Sequence, residues 1–447
     1  RRYIGNIPDI GPAALAGAGV CGPIVTLISS FASWVGVGGA PLMSIRMGQK
    51  HMRAASRIVA NCFVLLLGMA FLIMFLVFLL KDRLLAWFGA SPAIFPYADT
   101  YLSWYLLGTV FALLATGMNQ FIICQGFAKT GMLSVVLGAV CNIALDPVFI
   151  FVLGMGVKGA AIATVISQMV SCACVLGFLF SKKPAVRITF GSYRRRVMAQ
   201  VLAVGLSHFL SIATDSILIS VMNMAMQHFG GNGQGDMLLT CNTIVQSFML
   251  MISMPLGGIT GGTQTIMGYN YGARRPDRIR KAFKHVLLLG LAFTSFMFFI
   301  AHVVPEVFVR IFTKEPAYVE TTVQAIRVYT MGIIPMTVQY TVVDGFTGMG
   351  IAKVAVSLSL FRKFIYFLGI LFLPAVLGVG AVFYAEPLSD VVACVSSATV
   401  FLLLSGKILG DNRRLRVYEY FSLRLPARDA RQEQWNGRSG PVSTGAY

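Results

Sequence analysis

Charge is what this chain has least of. Of 447 residues only 12% are Asp, Glu, Lys or Arg, and the acids number 17. A water-soluble domain carries about a quarter of its residues as charges, so a soluble globule is excluded. Histidine is scarce as well, at 5 residues, and no HExxH, GxSxG, P-loop or DDxxD pattern occurs. The sequence therefore offers no basis for an integral-membrane metalloprotease, serine hydrolase or Mg²⁺-dependent prenyl transferase. Eight cysteines are present, all in apolar segments, and Cys172 and Cys174 form a CxC without further ligands nearby. They read as free thiols, with neither a disulfide nor a metal site.

Apolar sequence is abundant instead: 57% of residues, with a mean hydropathy of +0.76. Stretches of membrane-spanning length recur along the whole chain. Lipid offers the backbone no hydrogen bonds, so these stretches must be helices. The expected fold is an all-α polytopic membrane protein with eleven spans. They fall at 13–45, 54–80, 97–124, 131–153, 159–181, 197–229, 236–268, 278–303, 316–347, 353–377 and 380–407. A basic linker occupies 182–196. The tail from 409 is polar and reads as cytoplasmic and disordered, with 413–425 either a short interfacial helix or a solvated basic stub.

The net charge of +19 is not a nucleic-acid signal, because the basic residues gather in loops at span boundaries. One set of loops holds Arg46, Lys50, Arg53, Arg57, Lys129, Lys182, Lys183, Arg187 and Arg194 to Arg196. Arg274 to Lys284, Lys353, Arg362 and Lys363 are assigned to the same side. The opposite loops hold far fewer. The positive-inside rule makes the first side cytoplasmic and places the C-terminus there, in a multi-pass cell-membrane protein.

The two halves align without a gap when the chain is shifted by 224 residues. Gly38 then meets Gly262, Gly48 meets Gly272, Tyr105 meets Tyr329, Gly108 meets Gly332, Gly126 meets Gly350, and Leu153-Gly154 meets Leu377-Gly378. Many matches at one offset mark an internal repeat. The span at 197–229 lacks a counterpart, so the design reads as two pseudo-symmetric six-helix bundles with one amino-terminal helix not contained in this chain. On that reading 1–181 is an amino-terminal lobe of five helices, 182–196 a linker, 197–408 a six-helix carboxy-terminal lobe and 409–447 a tail. Repeats with the same membrane sense place a substrate site between lobes that rock in alternating access. A channel need not have this symmetry.

Acids inside spans are costly, at roughly 2.5–3.5 kcal/mol each at a helix centre. Asp146, Asp215, Asp344, Glu386 and Asp390 lie there. With almost no Lys or Arg assigned to comparable depth, ion pairing does not account for them, and proton or cation binding does. At the repeat positions Asp146 faces Ile370, Glu386 faces Ile162 and Asp390 faces Ile166, so packing alone does not demand the acids. Asn142 and Asp146 share a helix face, and Pro147 removes a backbone donor and marks a hinge. A carboxylate, an amide oxygen and a freed carbonyl suit a hard cation such as Na⁺. Thr164, Ser167, Gln168 and Ser171 form a polar stripe, serving either this site or helix–helix hydrogen bonds. A second polar site draws on His208, Ser211 and Asp215, as a proton relay or a structural contact, and on Glu386 and Asp390. Asp344 reads as a solvated boundary residue. Met residues between 198 and 267 suit either a promiscuous site for bulky cations or ordinary packing.

IMGYNYGARRPDRIRKAF (266–283) and its echo PLMSIRMGQKHMRAA (41–55) resemble the loop signature of the multidrug and toxic compound extrusion (MATE) family. NIALDPVFIFVLGMGVKGAAIAT (142–164) resembles the fifth-to-sixth-helix stretch of that family, and FGGNGQGDMLLT (229–240) and AEPLSD (385–390) fit its MepA-like branch. The resemblance implies a twelve-helix secondary antiporter that exchanges H⁺ or Na⁺ for amphipathic organic cations, working as a monomer in lipid without a cofactor. It implies cation-site roles for Asn142, Asp146 and Thr164; the first-helix aspartate that completes the family's site would precede Arg1. A lipid-linked saccharide flippase of similar design is the alternative, and central basic residues in the cavity would favour it.

Overall fold

The computed structural model describes residues 11–409 apart from 89–91, 93, 192, 313 and 314. The tail and its candidate interfacial helix lie outside the described residues. Everything described is helix, turn or coil. The helices are α1 (Gly11–Gly48), α2 (Met52–Trp87), α3 (Phe95–Leu107), α4 (Thr109–Cys124), α5 (Ala128–Pro147) and α6 (Gly156–Phe180). After the linker come α7 (Arg195–Gly272), α8 (Pro276–Val303), α9 (Pro305–Val309), α10 (Pro316–Tyr329), α11 (Ile333–Gly348), α12 (Ala352–Leu377) and α13 (Ala385–Leu409). All packing considered below lies in the unit that ends at Phe401.

Among the described residues nine helices are long and apolar enough to cross a membrane, or ten if α3 and α4 count as one bent span. The remaining expected span, 316–347, is divided by a 3₁₀ turn at Thr330–Gly332, and its first part carries Glu320 and Arg327. α3 and α4 bend by 56° where they meet at Gly108. Gly108 and Gly332 are repeat partners, so both halves interrupt the same span at the same glycine.

The expected spans 197–229 and 236–268 are both present, as the limbs Arg195–Gly230 and Met237–Gly272 of α7. The chain doubles back between them, because Asn242 donates to Asn223 at 3.2 Å. Nineteen residues of straight helix would separate them by about 28 Å. The two limbs of α7 therefore pack as separate spans.

The repeat is present in the backbone itself. Lys50 (φ 63°) and Arg274 (φ 55°), Gly126 (89°) and Gly350 (75°), and Gly154 (64°) and Gly378 (88°) are left-handed at matching positions. Non-glycine residues seldom adopt this region, so the Lys50 and Arg274 turns repeat an uncommon geometry. The linker is tied to the first half: Gln125 accepts from the Val186 N–H at 2.8 Å and donates to its carbonyl at 3.0 Å, while the Arg194 N–H donates to Asn61 at 2.8 Å.

α1 holds the two halves together. Its Trp34 indole donates to the Leu202 carbonyl at 2.8 Å and stacks on Phe209 with ring centroids 4.3 Å apart. Added Cβ atoms at Gly38 and Gly205 would come within 2.1 Å of the Val201 oxygen and 1.9 Å of the Trp34 oxygen. At the basic end the same closeness recurs between Gly48 and the second limb of α7. A Cβ on Gly48 would lie 1.9 Å from the Tyr269 oxygen, and one on Gly272 would lie 2.0 Å from the Ile45 oxygen. Backbone thus meets backbone, and only glycine permits it. Gly48→Val or Gly272→Val is expected to lower the unfolding temperature in detergent, at an overpacking cost of roughly 1–3 kcal/mol. Unchanged melting would mean that this contact does not hold the ends together.

Candidate functional site

Two cavities contain Asn142, Asp146, Thr164, His208, Ser211, Asp215 and Asp344, whereas Glu386 and Asp390 line neither. The smaller, about 250 Å³, lies within the first half and is lined by Ala18, Gly22 and Thr26 of α1, Tyr101 of α3, Asn142 and Asp146 of α5, and Thr164 of α6. Its floor is an apolar cluster of Ala14, Ala18, Ile150, Val157 and Ala160. Asn142, Asp146 and Thr164 are brought together as expected. The Asn142 amide nitrogen donates to Asp146 Oδ1 at 3.3 Å and to Thr164 Oγ1 at 3.4 Å, while the Thr164 hydroxyl donates to the Ala160 carbonyl at 2.9 Å. One difference matters: Asn142 presents its nitrogen, not its oxygen, to the carboxylate. The arrangement is a hydrogen-bonded trio rather than a cage of oxygens. The other Asp146 oxygen is left for the cavity.

Pro147 ends α5 without stopping the helical path. A π-helical turn, Val148–Val152, follows at once, and Met155 donates to the Phe149 carbonyl at 3.1 Å. The irregularity thus begins where the proline removes a donor. The polar stripe on α6 divides. Thr164 faces the cavity, whereas Ser167 bonds its own helix and Gln168 and Ser171 bond Tyr105 and the Ser134 carbonyl. Those last two are helix–helix contacts.

The larger cavity, about 530 Å³, is walled by both halves: Ser33 and Pro41 of α1, Gln120 of α4, both limbs of α7, and α11 and α12. His208, Ser211 and Asp215 line it from the first limb. Asp344 lines it too and accepts from Gln264 at 2.9 Å, so it is a cavity-wall residue and not a boundary one. Its proximity to the loop at Gly350 suggested otherwise, but α11 carries it inward against α7. Among the described residues the lining contains neither Met nor Phe. Met222, Met226 and Met249 sit instead in the apolar core of the second half, where they serve packing.

The main correction concerns charge. Arg362 and Lys363 do not lie in a loop. They are buried, ten residues or more into α12, about 15 Å along the helix. Arg362 donates to Asp390 Oδ1 at 2.7 Å through Nε and to Glu386 through its outer nitrogen. Lys363 pairs with Asp215, which shares the cavity wall with His208 and Ser211. Both cations reach the cavity wall. Three acids that seemed unpaired therefore have basic partners. Depth counted from the nearest loop put the two cations at the boundary, and no short-range pattern links them to acids more than twenty positions away. Two adjacent basic residues inside an otherwise apolar span were the available signal.

Deleting one member of a buried ion network strands the others. Arg362→Met is expected to destabilise the protein by roughly 3–5 kcal/mol, and adding Glu386→Leu and Asp390→Leu to recover most of that loss. Thermal unfolding in detergent measures both. An Arg362→Met protein as stable as wild type would show that the acids do not depend on it.

The profile of the family described as MatE matches residues 4–148 and 211–372. The multidrug export protein MepA of Staphylococcus aureus (strain NCTC 8325 / PS 47) is 22% identical over 406 residues, covering 88% of this chain and 86% of its own. A solved structure titled as MATE in the bent conformation superposes with a TM-score of 0.85 at 23% identity, covering 91% of each chain. A transporter of the MOP superfamily from Pyrococcus furiosus Vc1 (DSM3638) gives 0.84 at 24% identity and the same coverage. Its title describes a binding pocket of reverse polarity.

Proposed function

The chain belongs to the MatE family, and from that premise we propose that it is a secondary multidrug antiporter of the cell membrane. It exports amphipathic organic cations in exchange for H⁺ or Na⁺. The observation that carries this reading is the separation of two cavities: a large one walled by both halves, and a small one holding Asn142, Asp146 and Thr164 inside the first half. The large cavity takes the cargo and the small one the coupling ion. The name of the MepA relative, a multidrug export protein, supports the cargo class. Nothing in this scheme makes the chain an enzyme or calls for a cofactor or nucleic acid; it works as a monomer in lipid.

The basic end is read as cytoplasmic, with the C-terminus on that side. In this conformation Gly48 and Gly272 draw the two halves together there. Release of that contact opens the cargo cavity to the cytoplasm. Adding a proton or cation at Asp146 changes the charge beside the π turn, and a ligand biases a two-state fold only through such a difference between states. Pro147 and the turn after it are the natural bending point.

The flippase alternative requires a cavity with surplus positive charge. Arg362 and Lys363 do reach the cavity, yet Lys363 is held by Asp215, Arg362 by Glu386 and Asp390, and Asp344 adds a further acid. No positive surplus remains for a pyrophosphate.

Ethidium efflux from vesicles, under proton and sodium gradients imposed separately, tests the reading. One gradient should drive efflux, and Asp146→Asn should slow it at least about tenfold, equivalent to roughly 1.4 kcal/mol on the barrier. Efflux by Asp146→Asn at the wild-type rate would end the proposed role of the small cavity. Efflux without any gradient would end the antiport reading.

A further inference from the structure

The pairing of Arg362 leaves a remainder. Asp215, Glu386 and Asp390 face Arg362 and Lys363, so the cluster carries one surplus negative charge if every group is ionised. The members are not equally placed. The Asp215 side chain is 48% exposed and opens to the large cavity, whereas the Asp390 side chain is 0% exposed. Asp390 Oδ1 receives the Arg362 bond, and Oδ2 is buried without a partner. A buried, unpartnered carboxylate oxygen is among the costliest groups a protein can hold, and two carboxyls sharing one cation disfavour double ionisation.

The surroundings of Oδ2 are specific. A Cβ built on Gly332 would lie 2.8 Å from it and 2.7 Å from Pro387 Cα. Oδ2 therefore rests against the 3₁₀ turn that interrupts the span between α10 and α11. The first half supplies the comparison. At the matching break a Cβ on Gly108 would lie 2.8 Å from Gln168 Oε1, which is likewise buried and unpartnered. One break is thus backed by a neutral amide and the other by an acid. The fold tolerates an uncharged oxygen in that position.

We propose that Asp390 is a proton-binding site of the carboxy-terminal half, holding its proton on Oδ2 against the helix break at Gly332. Protonation forms one O–H bond, takes the cluster from a charge of −1 to zero, and exchanges the proton with water. The groups around Asp390 are Arg362 and Lys363 of α12, Tyr340 of α11 and, on its own helix, Glu386 and Cys394, with Tyr329 and Tyr366 beside Glu386 and Asp215 beyond Lys363. Tyr329 and Tyr366 bond each other at 3.2 Å, Gln246 donates to Tyr329 at 3.0 Å, and Tyr366 also donates to the Met222 sulfur at 3.1 Å, so these tyrosines carry no hydrogen bond to Asp390. This site is distinct from the Asp146 cavity. Resting on the efflux reading, it also has a consequence: a cargo cation that took Asp215 would release Lys363 to the acid pair and displace the Asp390 proton.

Infrared spectroscopy of the purified full chain at neutral pH tests the site without cargo or gradient, so its result is independent of whether the protein exports anything. The wild type should show the carbonyl stretch of a protonated carboxylic acid. Asp390→Asn should remove one component of that band, whereas Asp146→Asn should leave that component in place. Glu386→Gln gives a second route: it balances Arg362 against Asp390 alone, so the Asp390 component should again disappear in a protein that remains folded. A shift of that component on labelling aspartate, but not glutamate, with ¹³C at the side-chain carboxyl assigns the proton to Asp390 rather than Glu386, also where Asp390→Asn does not fold; a shift with glutamate alone overturns the proposal. A wild-type spectrum without a protonated-acid band, or a band unchanged in Asp390→Asn or in Glu386→Gln, overturns the proposal.

Discussion

Lipid supplies no hydrogen bonds and hydrates no charge, and this structure is organised around that deficiency. The backbone meets it by staying helical wherever it can. Where the ladder is interrupted, at Gly108 and Gly332, the break is buried in protein, against α6 and α13 respectively. Side chains meet the same constraint by pairing. Arg362 and Lys363 are held at depth because Glu386, Asp390 and Asp215 are there to receive them, and those acids persist for the same reason.

This explains which parts of the fold are legible in the sequence. Long apolar runs must be helices, so span positions follow from hydropathy, and the backbone repeats its left-handed residues at the offset found in the letters. The trio Asn142, Asp146 and Thr164 is legible because two members share a helix face and the third lies on the next helix, joined through the short Leu153–Met155 connection. Local spacing carries that information. The second site is not local. Arg362 lies 24 and 28 positions from its acids, and Lys363 lies 148 from Asp215. Only packing of α12 on α13 and α7 reveals those pairs. Counting depth from the nearest loop misplaced the cations, and the error spread to three of the five acids judged unpaired.

The repeat was read from matching glycines, but its use is visible only in three dimensions. Gly48 and Gly272 match because they meet each other's helices, each leaving room for the carbonyl opposite. A pairing that needs glycine on both sides is a closed contact with little tolerance for partial opening. Close-packed surfaces of this kind favour two discrete arrangements over a continuum. The chemistry of the halves, by contrast, is not repeated. Asp146 corresponds to the buried Ile370, and the acids of α13 to isoleucines of α6.

That contrast fixes how the molecule divides its labour. A symmetric backbone lets two bundles hinge at equivalent breaks and meet at equivalent glycines, so their motions are matched in geometry. Asymmetric charge then makes the bundles respond to different stimuli. In the first half a half-buried carboxyl stands alone in a small cavity with neutral donors around it, so any added proton or cation alters its charge outright. In the second half Asp215, Glu386 and Asp390 belong to a network whose cations reach the large cavity, so a charged occupant there competes with existing pairs before it changes anything. On the proposed reading, one bundle registers an ion directly, and the other registers cargo through the pairs that the cargo disturbs.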